Sequence, residues 1–178
     1  MIDWKEKLEN YHKLKDWNSG LTLMQNVITN NPDDLDAYLN VNYFLMNLLI
    51  EEEYDDKDQL FYAGLLKKYF LESYSKFSTE PEYLFFIGII ACLGEWYYDI
   101  TVEEAICLMK QAQLREPNNL LFKWAEYIDF DIRDHNSKKK MIAFAKIALA
   151  NSELHALLSS KGILGKYQLH NLQYWAMQ

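Results

Sequence analysis

The sequence predicts an all-α fold, a single helical domain over residues 1–178 built from roughly eight to ten helices in antiparallel hairpins. Three observations predict it. Turn formers are scarce, with 6 Gly and 3 Pro in 178 residues, while half the chain is hydrophobic and 15% is aromatic. Apolar residues recur at alternating spacings of four and three, the period of one helix face. The segment 101–117, TVEEAICLMKQAQLREP, then states a complete helix. Thr101 and Glu104 have the spacing of a capping box, Ala105, Met109 and Ala112 mark one face, and Pro117 closes the segment. Small residues flanking a large one let a neighbouring helix approach closely.

Residues 1–32 read as a first helix pair. Trp4, Leu8 and Tyr11 share a face, Asn18 and Ser19 mark the turn, Gly20, Met24 and Val27 share the next face, and Pro32 ends the unit. This unit and 101–117 resemble the tetratricopeptide repeat, whose pattern runs Trp, Leu-Gly, Tyr, then Ala or Gly, Phe, Ala, Pro. Trp4, Tyr11, Gly20 and Pro32 match it. Lys7 and Leu8 stand where the family has Leu-Gly, which predicts a wider crossing, and Met109 replaces the aromatic residue. The resemblance implies a short right-handed superhelix whose first helices line a concave face.

The remaining units follow in order. Residues 33–81 are a long one, because Pro32 and Pro81 lie 49 residues apart against about 34 for the standard repeat. Asp33 and Asp34 sit where a helix begins, and the helix through Tyr38, Tyr43 and Leu49 is apolar around most of its girth. The acids of 51–58 end it, and a second helix runs through Leu60, Tyr69 and Tyr74. Residues 82–117 hold a very apolar helix over 83–98 followed by the segment above. In 118–151, Leu121, Trp124, Ala125 and Ile128 predict one helix face, and Ala143, Ile147 and Ala150 predict the next. Ala105, Ala112, Ala143 and Ala150 are all expected at helix contacts. Residues 152–178 carry a short helix, a Gly162–Gly165 hinge and a last helix, expected to cap the array.

Composition excludes several functions. Residues 1–10 mix charged and apolar positions, so no secretory leader is expected. The longest apolar run, 83–94, has 12 residues, too few to span a bilayer. Cys92 and Cys107 form no CxxC and are expected as reduced thiols in the core of a cytoplasmic protein. The net charge is −8, and residues 33–58, with nine acids and Lys57 as the one base, carry a net −8 by themselves. Such a field repels nucleic acid and anionic membrane and attracts a basic protein.

No pattern names a reaction. His12, His135, His155 and His170 fall in different predicted elements, with no partner at metal-ligand spacing. Glu103 and Glu104 belong to a helix start. Asp129, Asp131, Asp134 and His135 have the composition of a metal site, but their place before a turn predicts a solvated helix end. Lys138, Lys139 and Lys140 follow a predicted cap, where positive charge opposes the helix dipole. No enzyme activity, cofactor or metal is expected.

In size, acidity and style of sequence the chain is also similar to bacterial immunity proteins, including those of contact-dependent growth inhibition systems. That resemblance implies a basic toxin domain as partner, a nuclease in many cases, and cytoplasmic action. The expected contact residues are Asp33, Glu51, Glu52, Glu53, Asp55, Asp56 and Asp58. Asp36, Tyr43 and Asn47 join them if the first helix of the unit lines the concave face, as the repeat resemblance implies. The other expectation is an adaptor or chaperone that holds a peptide in the concave groove.

Overall fold

The computed structural model describes residues 3–53, 55–128 and 134–178. Among them are nine α-helices and no strand: α1 (Trp4–Lys13), α2 (Trp17–Asn30), α3 (Leu35–Glu51), α4 (Asp56–Phe77), α5 (Pro81–Ala91), α6 (Val102–Arg115), α7 (His135–Ala150), α8 (Ser152–Ser160) and α9 (Gly162–Ala176). Two short 3-10 helices, Glu95–Tyr98 and Phe122–Glu126, follow α5 and α6.

Local chemistry sets most of the starts. Asp3, Asp16, Asp34, Asp55, Asp134 and Asn151 each accept a hydrogen bond from a first-turn backbone amide. The Thr101 capping box forms in full, with Glu104 N–H donating to Thr101 Oγ1 and Thr101 N–H to Glu104 Oε2. Pro81 takes the first position of α5, where its missing amide costs nothing.

The core is centred on α3 and α5. Ala37 to Met46 of α3 and Tyr83 to Ala91 of α5 are buried without interruption. An apolar girth of that kind requires neighbours on every side, and α2, α4, α5 and α9 supply them around α3. Against α6, α5 packs most closely. A Cβ added at Gly88 would stand 2.7 Å from the Ala105 carbonyl oxygen and 2.7 Å from Met109 Cγ. Ala105, Met109 and Ala112 are buried there as their spacing predicts.

Several expectations need correction. The helix over 83–98 stops at Ala91, and the chain turns before the 3-10 helix Glu95–Tyr98. Gly94 passes close to α3, where an added Cβ would lie 3.0 Å from Met46 Sδ. Leu121, Trp124 and Ala125 are buried, but the last two lie in the short 3-10 helix Phe122–Glu126 and Leu121 precedes it. The face of α7 is shifted: Met141, Phe144, Ala145 and Ala148 are buried, whereas Ala143 and Ala150 are exposed. Phe144 decides the phase, because its ring packs against Trp124 and Tyr127 and buries far more area than an alanine. Cys107 is exposed and is no core thiol, whereas Cys92 is half-buried and packs against the core.

The largest departure concerns α9. In a repeat stack each unit touches only its neighbours, but α9 packs on α1 and α3 as well as on α7 and α8. Its entry is a conformational corner. Gly162 adopts φ +67°, and a Cβ there would lie 2.8 Å from Asn40 Oδ1, so a larger residue is strained twice over. Asn40 Nδ2 donates to the carbonyls of Asp36 and Lys161. Lys161 Nζ bonds Asp36 at 2.9 Å and also Glu82, and Lys5 Nζ bonds the other Asp36 oxygen and the Ser160 carbonyl. Two carboxylates and two ammonium groups thus join α1, α3, α5 and the start of α9.

Candidate protein-binding surface

The acids of 33–58 separate into those with a structural partner and those without. Asp33, exposed before α3, pairs with Lys76 at 2.9 Å. Asp34 is spent on the cap of α3. Asp36 belongs to the four-charge cluster, and its carboxyl is held below the usual range. Burial opposes that shift, and the hydrogen bonds from Lys5 and Lys161 outweigh it. Glu51 and Glu52, at the end of α3, both pair with Lys15, at 3.5 and 3.1 Å. Asp55 caps α4 by accepting from Asp58 N–H at 2.8 Å. Among the described residues, the side chains of Glu53, Asp56 and Asp58 are exposed and make no ion pair.

Two predicted contact residues are therefore removed from the surface. Asp36 faces the lysines of α1 and of the α9 entry instead of a groove. Tyr43 is 5% exposed, set between His12 of α1 and Tyr167 of α9 with ring centroids 6.3 and 5.2 Å away. Burial pushes its phenol well above the ordinary value. The physical reason is the same for both: α1 and α9 cover this side of α3. Asn47 is half-buried and donates to the Tyr43 carbonyl at 3.0 Å.

What remains is a corner where α3 hands over to α4. It carries Glu53, Asp55, Asp56 and Asp58 around the N-terminus of α4, a place the helix dipole favours for negative charge. Beside the acids lie two exposed apolar side chains, Leu60 at 74% and Phe61 at 58% exposure. Large apolar groups that project from an acidic rim are the composition of an anchor set. Their signal was present in the sequence, since Leu60 follows Asp56 by four residues and therefore shares its face.

The other candidates fall out as follows. Among the described residues no group of three or more His, Cys, Asp or Glu is placed to hold a metal. Asp129 and Asp131 lie outside the described residues, and Asp134 is the cap of α7. Lys138, Lys139 and Lys140 sit in the early turns of α7. His12 and His170, expected in separate places, line one cleft of about 250 Å³ with Glu9, Tyr43, Lys166 and Tyr167. Burial lowers the His12 pKa. Glu9 is held ionised by Lys13 and Lys166, which weakens it as a proton acceptor. Among the described residues no single helix is long and apolar enough to cross a membrane. No family model, curated protein or solved structure matches the chain.

Proposed function

We propose that this chain is a non-catalytic binding protein that captures a basic protein domain at the α3–α4 corner. The role is that of a bacterial immunity protein neutralising its cognate toxin in the cytoplasm. One observation carries the reading. After caps and ion pairs have used six of the nine acids in 33–58, Glu53, Asp56 and Asp58 remain together at one exposed corner, next to Leu60 and Phe61. Charge there steers a basic partner into contact, and the apolar pair holds it once it has arrived. The scaffold on this reading is a set of tetratricopeptide-like hairpins, α1 with α2 and α5 with α6, closed by α9 into a bundle. The adaptor reading has less support, because α1 and α9 cover the Asp36 and Tyr43 side of α3 that a peptide groove needs.

The test uses the protein encoded beside the gene. Association of that protein with wild type and with the Glu53→Lys, Asp56→Lys, Asp58→Lys triple variant is followed by stopped flow at low and high salt. The triple variant is expected to associate about tenfold more slowly at low salt, with the difference shrinking as screening shortens to about 8 Å. Equal rates in the two proteins, at both salt concentrations, remove the corner as the docking site.

A further inference from the structure

Four of the five tryptophans are buried or half-buried, and Trp96 is 61% exposed. It belongs to the 3-10 helix Glu95–Tyr98, and its exposure is not that of a loose loop, because the element is pinned on several sides. Gly94 passes against Met46 of α3. Tyr98 is 3% exposed, with its ring 4.9 Å from that of Phe70 in α4. Gln59 Nε2 donates to Tyr97 Oη at 3.3 Å, and Asp99 pairs with Lys67. A 3-10 helix has three residues per turn, so Glu95 and Tyr98 share one side and Trp96 and Asp99 another. The first side carries the buried Tyr98, and the second faces solvent.

Gln59 and Lys67 mark the flank of α4 against which this element lies. That flank also carries Asp56, three residues before Gln59, and Leu60, seven before Lys67. Asp56, Leu60, Gly64 and Lys67 form an exposed outer stripe there. The Trp96 ring stands 5.5 Å from the Tyr97 ring, centroid to centroid, and Tyr97 reaches the first turn of α4. Trp96 is therefore continuous with the acidic corner. The charges of this flank and of the 3-10 helix are Asp56, Glu95 and Asp99 against Lys67, so the ring lies in negative surroundings.

Resting on the reading that the α3–α4 corner takes a basic partner, we propose that Trp96 is the anchor of that contact and seats an arginine of the partner. A guanidinium is planar. It stacks on an indole face and keeps its N–H groups for carboxylates at the ring edge. An ammonium is a compact, strongly hydrated charge and uses the ring face less well. The pinned element holds the ring in place before binding, so little freedom is lost on contact. The work divides in two: the acids set how fast the partner arrives, and Trp96 sets how long it stays. A second copy of this chain is the weaker occupant, because it would bring another net −8 against the same acids.

Two measurements test the proposal, both with full-length protein whose fold is checked by circular dichroism. The first is quenching of tryptophan fluorescence by caesium and by iodide at low salt, with the Trp96→Phe signal subtracted so that Trp96 alone is read. Relative to free N-acetyltryptophanamide, caesium is expected to quench Trp96 about twofold more strongly than iodide does. Equal or reversed quenching overturns the cation seat. The second is dissociation of the complex with the neighbouring gene product, followed by stopped flow. Trp96→Ala is expected to dissociate about tenfold faster or more, while its association changes by less than about twofold. Trp96→Phe keeps a ring and should stay within about threefold of wild type, whereas Trp96→Leu should behave as Trp96→Ala. A leucine that restores dissociation as well as phenylalanine overturns the arginine assignment. So does sedimentation of wild type as a dimer that Trp96→Ala separates, which assigns the ring to a second copy. If Trp96→Ala dissociates like wild type while the acid-corner triple variant still slows association, the anchor falls and the proposed function stands. No complex with the neighbouring gene product removes both.

Discussion

Helix α6 meets α5 on one side and α4 on the other, and the two contacts are built in opposite ways. Against α5 there is a glycine, Gly88, over Ala105 and Met109, and the backbones close until nothing larger fits. Toward α4 the facing residues are Leu71 and Tyr74 across from Cys107 and Gln111, and a groove separates the helices. Both α5 and α4 carry a mid-helix glycine. Gly88 is at a crossing that needs it, and Gly64 faces open space. The difference teaches where the fold has spent its packing and where surface is left over for something else.

The contrast can be broken most severely at Gly88. Gly88→Val forces α5 and α6 apart, with an expected loss of about 3 kcal/mol or more, the upper end for overpacking. A urea midpoint equal to wild type would mean that the crossing is loose. Charge shows a similar contrast, between Asp36 inside its lysine pair and Asp56 in solvent. Asp36→Asn should cost about 1–2 kcal/mol, the figure for a half-buried pair once solvent screening is allowed for. Its pH dependence follows from the direction of the shift. The folded pKa is depressed below the unfolded value of about 3.9, so the contribution is fully present above about pH 4. It is lost as pH falls through the folded pKa. Denaturation curves of wild type and variant should therefore stay apart from neutral pH to about pH 4 and converge below it; a gap that persists at the lowest pH assigns the cost to packing.

At Gly64 the sign reverses. Gly64→Ala fits an open helical site and should stabilise by about 0.4–1 kcal/mol, chiefly by restricting the unfolded chain. A lower melting temperature would show that α4 is covered at this point. The smallest effect per site belongs to the acids. Reversing Glu53, Asp56 and Asp58 to Lys should move stability by no more than about 0.5 kcal/mol per site, so that any loss of partner binding can be read as loss of contact. Circular dichroism melts check this before association is measured.

Local features were legible in the sequence, and long-range ones were not. The Thr101 capping box and the Ala105–Met109–Ala112 face are settled by residues within a few turns of each other, and both are present as expected. The phase of α7 failed because alanines at the right spacing fit a contact but do not compel one, while Phe144 does. Asp36 looked like one more acid in a charged run. Its partners Lys5 and Lys161 are 31 and 125 residues away, and Lys161 reaches it only through the return of α9. The outer stripe of α4 could have been found, since Asp56, Leu60, Lys67, Leu71 and Tyr74 keep helical spacing. A second apolar face on a helix that already has a buried one, through Leu66, Tyr69 and Phe70, reads as extra core until the neighbours are known.

The return of α9 also sets an order of events during synthesis. Lys5 finds its Ser160 partner 155 residues later, and the side of α3 that holds Tyr43 is not closed until Tyr167 arrives. Until then the nascent α1–α3 segment leaves the ribosome with an apolar flank uncovered, while α4, α5 and α6 can already assemble behind it. The final helix is thus the step that converts a sticky intermediate into the finished protein, and a chain released before Lys161 is a natural substrate for chaperones and proteases.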